Sequence, residues 1–190
     1  MNVLAIPGSL RRGSFNRRLL EAAAALAPPE MDVTLAEGAL LAAVPPFSQD
    51  LEENGPDGDP EPVRELRRQV RAAHGLLIAT PEYNGSIPGV LKNLLDWLSR
   101  RRPDAVLADK PVAVTGATPG EWGTRLAQNA LREVLGATRA LVLPAGTALY
   151  VPRAGRLFDA DGRLTDPATS ERLSKLLSAL GSWIERCGPG

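Results

Sequence analysis

The sequence predicts an α/β fold, a doubly wound parallel sheet of five strands with helices on both faces. Three observations carry that expectation. Short apolar runs at residues 3–6, 33–35, 76–79, 112–114 and 141–143 are each bounded by glycine, proline or charged residues, as strands buried on both sides are. Segments of helical period at 15–26, 63–73, 87–98, 125–135 and 169–183 follow them in turn, and such alternation implies right-handed crossovers. The length, 190 residues, sets the domain count. At ~100–200 residues per domain, residues 1–190 are expected to form a single domain.

Each element has its own warrant. The first run, Val3-Leu4-Ala5-Ile6, stops at Pro7-Gly8, and Ser14 stands where a hydroxyl caps the helix that follows. In the third helix Ile87, Val90, Leu91, Leu94, Leu95 and Leu98 fall at i, i+3, i+4, i+7, i+8 and i+11, which buries one face. Pro88 is expected in its first turn, and Lys92 with Asp96 forms an i,i+4 pair on the other face. Residues 45–62 set Glu52, Glu53, Asp57, Asp59 and Glu61 among glycine and proline and read as a mobile acidic surface loop. Residues 150–166 place Asp161-Gly162 between Leu157-Phe158 and Leu164, which reads as a hairpin or tight turn before the last helix.

Composition removes several classes of function. The 22 basic and 22 acidic residues give no net charge, so there is no long-range attraction for nucleic acid or an anionic membrane. One cysteine, Cys187, allows no intramolecular disulfide and no cysteine cluster for a metal, which suits a reducing compartment. The N-terminus enters the first strand without a basic leader, and no apolar run approaches the ~18 residues that span a bilayer. We therefore expect a cytoplasmic protein with no membrane and no nucleic-acid partner.

In an open α/β sheet, ligands sit beyond the carboxyl ends of the strands. The unusual residues of this chain fall there. Gly8-Ser9-Leu10-Arg11-Arg12-Gly13-Ser14-Phe15-Asn16 offers backbone N–H groups, hydroxyls, a guanidinium and a helix N-terminus, a set suited to phosphate. It is neither a Walker A loop, because Ser14 follows Gly13 where lysine belongs, nor G-x-G-x-x-G, because Leu10 replaces the second glycine. Pro81-Glu82-Tyr83-Asn84-Gly85 combines a rigid residue, an aromatic ring and an Asn-Gly turn against which a flat ligand ring can lie. The loop with Gly116, Thr118, Pro119 and Gly120 supplies N–H groups for the polar edge of a ligand.

Together these motifs resemble the NADPH-dependent FMN reductase family of flavodoxin-like proteins. Gly8-Ser9-Leu10-Arg11 with Ser14-Phe15-Asn16 is similar to the family's phosphate loop. The stretch Thr80-Pro81-Glu82-Tyr83-Asn84-Gly85-Ser86-Ile87-Pro88-Gly89-Val90-Leu91-Lys92-Asn93, continuing to Asp96-Trp97, is similar to its signature region. Pro46-Phe47 with Asp50-Leu51, and Gly162-Arg163-Leu164-Thr165-Asp166, resemble further family segments. The loop after the fourth strand departs, with bulky Trp122 and with Thr124 at a common glycine position. The resemblance implies FMN as cofactor, with Ser9, Arg11, Ser14, Phe15 and Asn16 around its phosphate and Pro81, Glu82, Tyr83, Asn84 and Gly85 beside the isoalloxazine. Gly116, Thr118, Pro119 and Gly120 would stand at the flavin edge. NADPH or NADH would be the co-substrate, hydride passing to flavin N5 and then, in a ping-pong scheme, to a small-molecule electron acceptor such as free flavin, a quinone, an azo compound or a metal ion. No side chain is implied as obligatory acid or base, Tyr83 and Asn84 serving to position the rings, and a homodimer or homotetramer is implied. Two alternatives stay open, a flavodoxin-type FMN electron carrier serving a protein partner and a non-catalytic nucleotide-binding regulatory domain.

Other residues read more plainly. His74, before Gly75, is read as a helix-end cap, and no second metal ligand stands at helical spacing. Asp159-Ala160-Asp161-Gly162 is read as a turn rather than a calcium loop. Arg100-Arg101-Arg102 is read as solvated, with attraction for the extra phosphate of NADPH as its other reading. Trp97 and Trp183 are assigned to the core or to subunit contacts.

Overall fold

Because successive side chains of a strand point to opposite faces, a parallel strand buried on both sides must fill two separate apolar layers. The chain does this throughout. In the computed structural model, which describes residues 1–52, 58–100 and 105–188, β1 (Asn2–Pro7) sends Leu4 and Ile6 to one face and Val3 and Ala5 to the other. The first layer is closed by α4 (Glu61–Ala72), α5 (Gly89–Leu98) and α6 (Arg125–Ala137), through Leu66, Val70, Leu94, Leu95 and Leu131. The second is closed by α1 (Phe15–Leu26) and α7 (Pro167–Cys187), through Leu19, Leu20, Leu173 and Leu177.

The sheet is parallel, with strand order β2-β1-β3-β4-β5, where β2 is Asp32–Leu35, β3 Gly75–Ala79, β4 Pro111–Ala117 and β5 Leu141–Val142. The doubly wound, flavodoxin-like order is thus the one expected. The strand count differs by one. A sixth strand, β6 (Leu149–Val151), also pairs with β4: Pro111 and Val112 of β4 face β5, and Thr115, Gly116 and Ala117 face β6. Two short strands share the fifth position because Pro144 brings no N–H to the ladder and a 3₁₀ turn, Ala145–Thr147, carries the chain outward between them. Two of the three β6 residues, Tyr150 and Val151, were read as part of the 150–166 loop, whose turn does form, with Phe158 bridged to Leu164 and Gly162 at φ 84°.

Other departures from the sequence reading have local causes. Pro88 is the N-cap of α5 rather than a first-turn residue, and Ile87 packs against the core from outside the helix. Residues Gly38–Ala43 form α2, and within the supposed acidic loop lie α3 (Gln49–Glu52) and Asp59, which makes a buried ion pair with Arg67 of α4 at 3.0 Å. Glu53 and Asp57 lie outside the described residues. The start of this stretch is anchored: Phe47 meets buried Trp97 edge-on at 5.0 Å, and the Trp97 indole N–H donates to the Pro45 carbonyl. Arg100 lies over the Phe47 ring and pairs with Glu52, while Arg101 and Arg102 lie outside the described residues. His74 caps no helix end. Its Nδ1 accepts the Asn2 N–H, so it closes the start of β1. Trp183 is half-buried and donates to the Leu141 carbonyl.

Candidate functional site

The order of the sheet reverses its direction of growth between β1 and β3, which opens a crevice past their carboxyl ends. The loops after β1, β3 and β4 meet there around a cavity of about 360 Å³ lined by Ser9, Arg11, Ser14, Phe15, Asn16, Pro81, Glu82, Tyr83, Ala117, Thr118 and Pro119. That volume falls in the usual ~300–1,000 Å³ range of small-ligand sites. Of the residues singled out from the sequence, ten line it; Asn84, Gly85, Gly116 and Gly120 do not. Ala117 is the lining residue that sequence reasoning missed, because nothing in Gly116-Ala117-Thr118 shows that β4 runs on to residue 117.

The donors of the first loop suit an anion in charge and direction. Ser14 caps α1, its Oγ accepting the Arg17 N–H, and the first turn of α1 carries no acidic side chain. The helix therefore presents the positive end of its dipole to the cavity. The Arg11 guanidinium lies 5.9 Å from the Phe15 ring centroid, and no carboxylate of the described residues pairs with it. Ser9 Oγ accepts the Arg11 N–H at 3.4 Å and keeps its own hydrogen to donate. Two hydroxyls, a free guanidinium and a helix N-terminus match a phosphate monoester in charge and in hydrogen-bond sense.

Three residues change role once their partners are known. Asn16 was placed at the phosphate, but its side chain is buried and its amide is taken up by Ala117. Oδ1 accepts the Ala117 N–H at 2.9 Å and Nδ2 donates to the Ala117 carbonyl at 3.0 Å. It locks the end of β4 to the start of α1. Glu82 was placed beside the ligand ring, yet its Oε2 accepts the N–H groups of Leu126 at 2.9 Å and Ala127 at 3.2 Å. It caps α6, whose N-cap residue Thr124 sits at φ 62° and makes no capping bond with its side chain. Gly116 was placed in a loop, whereas it lies buried in β4. A Cβ there would stand 2.1 Å from Thr124 Oγ1 and 2.3 Å from the Thr80 carbonyl oxygen.

The remaining wall is a two-residue hairpin. Tyr83 and Ser86 exchange both backbone hydrogen bonds, with Asn84 at φ 52° and Gly85 at φ 75° between them, the left-handed pair that a type I′ turn requires. The turn holds Tyr83 at the rim, 53% exposed, near Leu126 at 58% and with Trp122 at 74% on the next loop. The Gly120 N–H is committed to Thr118 Oγ1 at 3.2 Å, which leaves it turned inward on its own loop. Among the described residues no group of three or more histidine, cysteine, aspartate or glutamate side chains is arranged to hold a metal. No described helix is long and apolar enough to cross a membrane.

The sequence matches the family model of NADPH-dependent FMN reductase over residues 1–152. It is 40% identical over 186 residues to an NAD(P)H-dependent FMN reductase of Pseudomonas aeruginosa, covering 98% of this chain and 96% of the relative. It is 35% identical over 186 residues to a quinone reductase of Escherichia coli, with 98% and 96% covered. In three dimensions it resembles FerB, a flavoenzyme NAD(P)H:(acceptor) oxidoreductase from Paracoccus denitrificans, with a TM-score of 0.87, 31% identity and 99% of each chain covered.

Proposed function

Because this chain belongs to the NADPH-dependent FMN reductase family, we propose that its strand-end cavity is the FMN cradle of an NAD(P)H-dependent reductase that delivers electrons to small molecules. The observation that carries the assignment of residues is the convergence of Ser9, Arg11, Ser14 and the N-terminus of α1 on one side of a cavity whose other side is Pro81, Tyr83, Thr118 and Pro119. The donor set fits a phosphate and the flat wall fits a fused ring. Bound there, FMN would supply the redox chemistry between reduced nicotinamide and an acceptor.

The chain's own part is to bind and orient. Arg11 and the two hydroxyls fix the phosphate end, so the ring position is set by a tether of defined length. Asn16 and Glu82, whose side chains line the cavity but are bonded to the backbone, hold the three loops in one frame, Asn16 joining the first loop to the third and Glu82 joining the second to α6. Tyr83 forms an aromatic rim on which a nicotinamide or quinone ring stacks in its turn. Quinones enter the proposal through the relatives so named, together with free flavins and azo compounds. The protein is proposed to work in the cytoplasm as a homodimer or homotetramer, with residues 1–190 as one domain.

The test is the visible spectrum of the purified protein, followed by anaerobic addition of NADPH. A flavin spectrum that bleaches without a partner protein is expected; a spectrum that NADPH leaves unchanged would indicate an electron carrier. Protein that stays colourless with added FMN would indicate a regulatory domain. In FMN titrations of the apoprotein, Arg11→Ala should weaken binding by roughly 1–3 kcal/mol and Ser14→Ala by less, with the fold retained. Unchanged affinity in both variants removes the first loop from the site.

A further inference from the structure

A second cleft, of about 620 Å³, lies beside the cradle and is lined by Pro119, Glu121, Arg153, Gly155 and Arg156. Pro119 belongs to both cavities, and Gly155 stands against the first loop, since a Cβ on it would meet Phe15 Cζ at 3.9 Å. The cleft is a fixed part of the fold. Thr118 N–H donates to the Val151 carbonyl at 3.0 Å, Ala154 N–H to that of Thr118 at 2.9 Å, and Arg153 N–H to that of Gly120 at 2.9 Å. The strand missed in the sequence, β6, is what brings Arg153 and Arg156 to the mouth of the site.

Its charges are unequal. Arg153 and Glu121 form an ion pair at 2.6 Å, and the Arg153 hydrogen bond, with smaller help from the charges of Arg153 and Arg156, holds the Glu121 carboxyl below its usual range. Arg156 has no carboxylate of the described residues at ion-pair distance, so these lining residues carry one net positive charge. We propose that this cleft is a subsite for the phosphate of an arriving substrate, either the 2′-phosphate of NADPH or the terminal phosphate of free FMN used as acceptor. The proposal rests on the cradle being the flavin site. A phosphate dianion displaces Glu121 from Arg153 and gains the unpaired Arg156, a forked donor matched to its oxygens. Glu121 is then a built-in competitor. It holds the cleft closed to weaker anions, and NADH and riboflavin, lacking these phosphates, have nothing to exchange for it.

Calorimetric titration of the FMN-loaded protein with adenosine 2′,5′-bisphosphate, with AMP as control, reads the first source without turnover. KM values for FMN and riboflavin as acceptors read the second. The parent should prefer the phosphorylated member of at least one pair. Arg156→Ala should cut that preference by about three- to tenfold, and Glu121→Gln should raise it by a similar factor, both effects shrinking with added salt. Preference in the adenosine pair identifies NADPH as the source, and preference confined to the flavin pair identifies FMN. No preference in either pair, or a preference that neither variant alters, overturns the subsite. Failure of the flavin reading is seen separately, as protein that takes up no FMN before the titration begins.

Discussion

Gly116→Ala lowers the stability of the protein by about 3 kcal/mol or more, at or beyond the top of the usual range for overpacking, and FMN capture falls with it. The methyl group would stand 2.1 Å from Thr124 Oγ1 and 2.3 Å from the Thr80 carbonyl oxygen, and neither can yield. Thr80 and Thr124 are both buried. The Thr80 N–H is bound to the Thr115 carbonyl at 3.0 Å, and Thr124 Oγ1 accepts from Gln128 Nε2 at 3.1 Å. Relief therefore requires β4 to move away from β3, which pulls Thr118 and Pro119 out of the cavity wall. Gly136 is the control, a glycine of α6 with nothing within 4 Å of its would-be Cβ. Alanine there should leave stability unchanged or raise it by about 0.4–1 kcal/mol. Urea unfolding of the two variants separates the cases, and equal midpoints would show that the close approach at Gly116 is not a constraint.

Asn16→Ala is expected to cost about 2–6 kcal/mol, since it strands a buried N–H and a buried carbonyl of Ala117 at roughly 1–3 kcal/mol each. Asn16→Asp keeps the acceptor but sets a buried carboxylate oxygen against the Ala117 carbonyl, so it should cost at least as much as alanine. Both variants should also bind FMN less tightly, although the amide is occupied by the protein itself, because Ala117 carries the third loop. Denaturant titrations in which Asn16→Ala unfolds within 0.5 kcal/mol of the parent would return Asn16 to the role of a direct phosphate ligand.

These two residues also mark how far the sequence can be read. The frame of the fold was legible because a buried strand must be apolar at every position, and the runs at 3–6 and 76–79 satisfy that in the sequence itself. The donor set of the first loop was legible because its chemistry is local: a serine cap, a guanidinium and a helix start within eight residues. What was not legible depends on partners far away in sequence. Asn16 and Ala117 are 101 positions apart, and Glu82 caps a helix that begins more than forty positions later, so neither role leaves a trace in the surrounding residues. The charge-rich stretch at 45–62 was read as an acidic surface loop because composition cannot show that its Asp59 will be buried against Arg67. Likewise Leu149, Tyr150 and Val151 form too short a run to announce a strand, and become one only where β4 has an unpaired half to offer.

That late strand also sets an order of events during synthesis. The proposed cradle draws on residues 9–16, 81–83 and 117–119, and its third loop is braced by β6 and by Ala154, so a chain leaving the ribosome exposes Arg11 and its serines long before the far wall can stand. Capture of cofactor is accordingly among the last steps of maturation, and the nascent N-terminal half has donors without a pocket. Pulse-labelled hydrogen exchange during refolding should find the Thr118 and Ala154 amides protected after those of β1 and β3, with flavin fluorescence quenched in the same phase as the later pair.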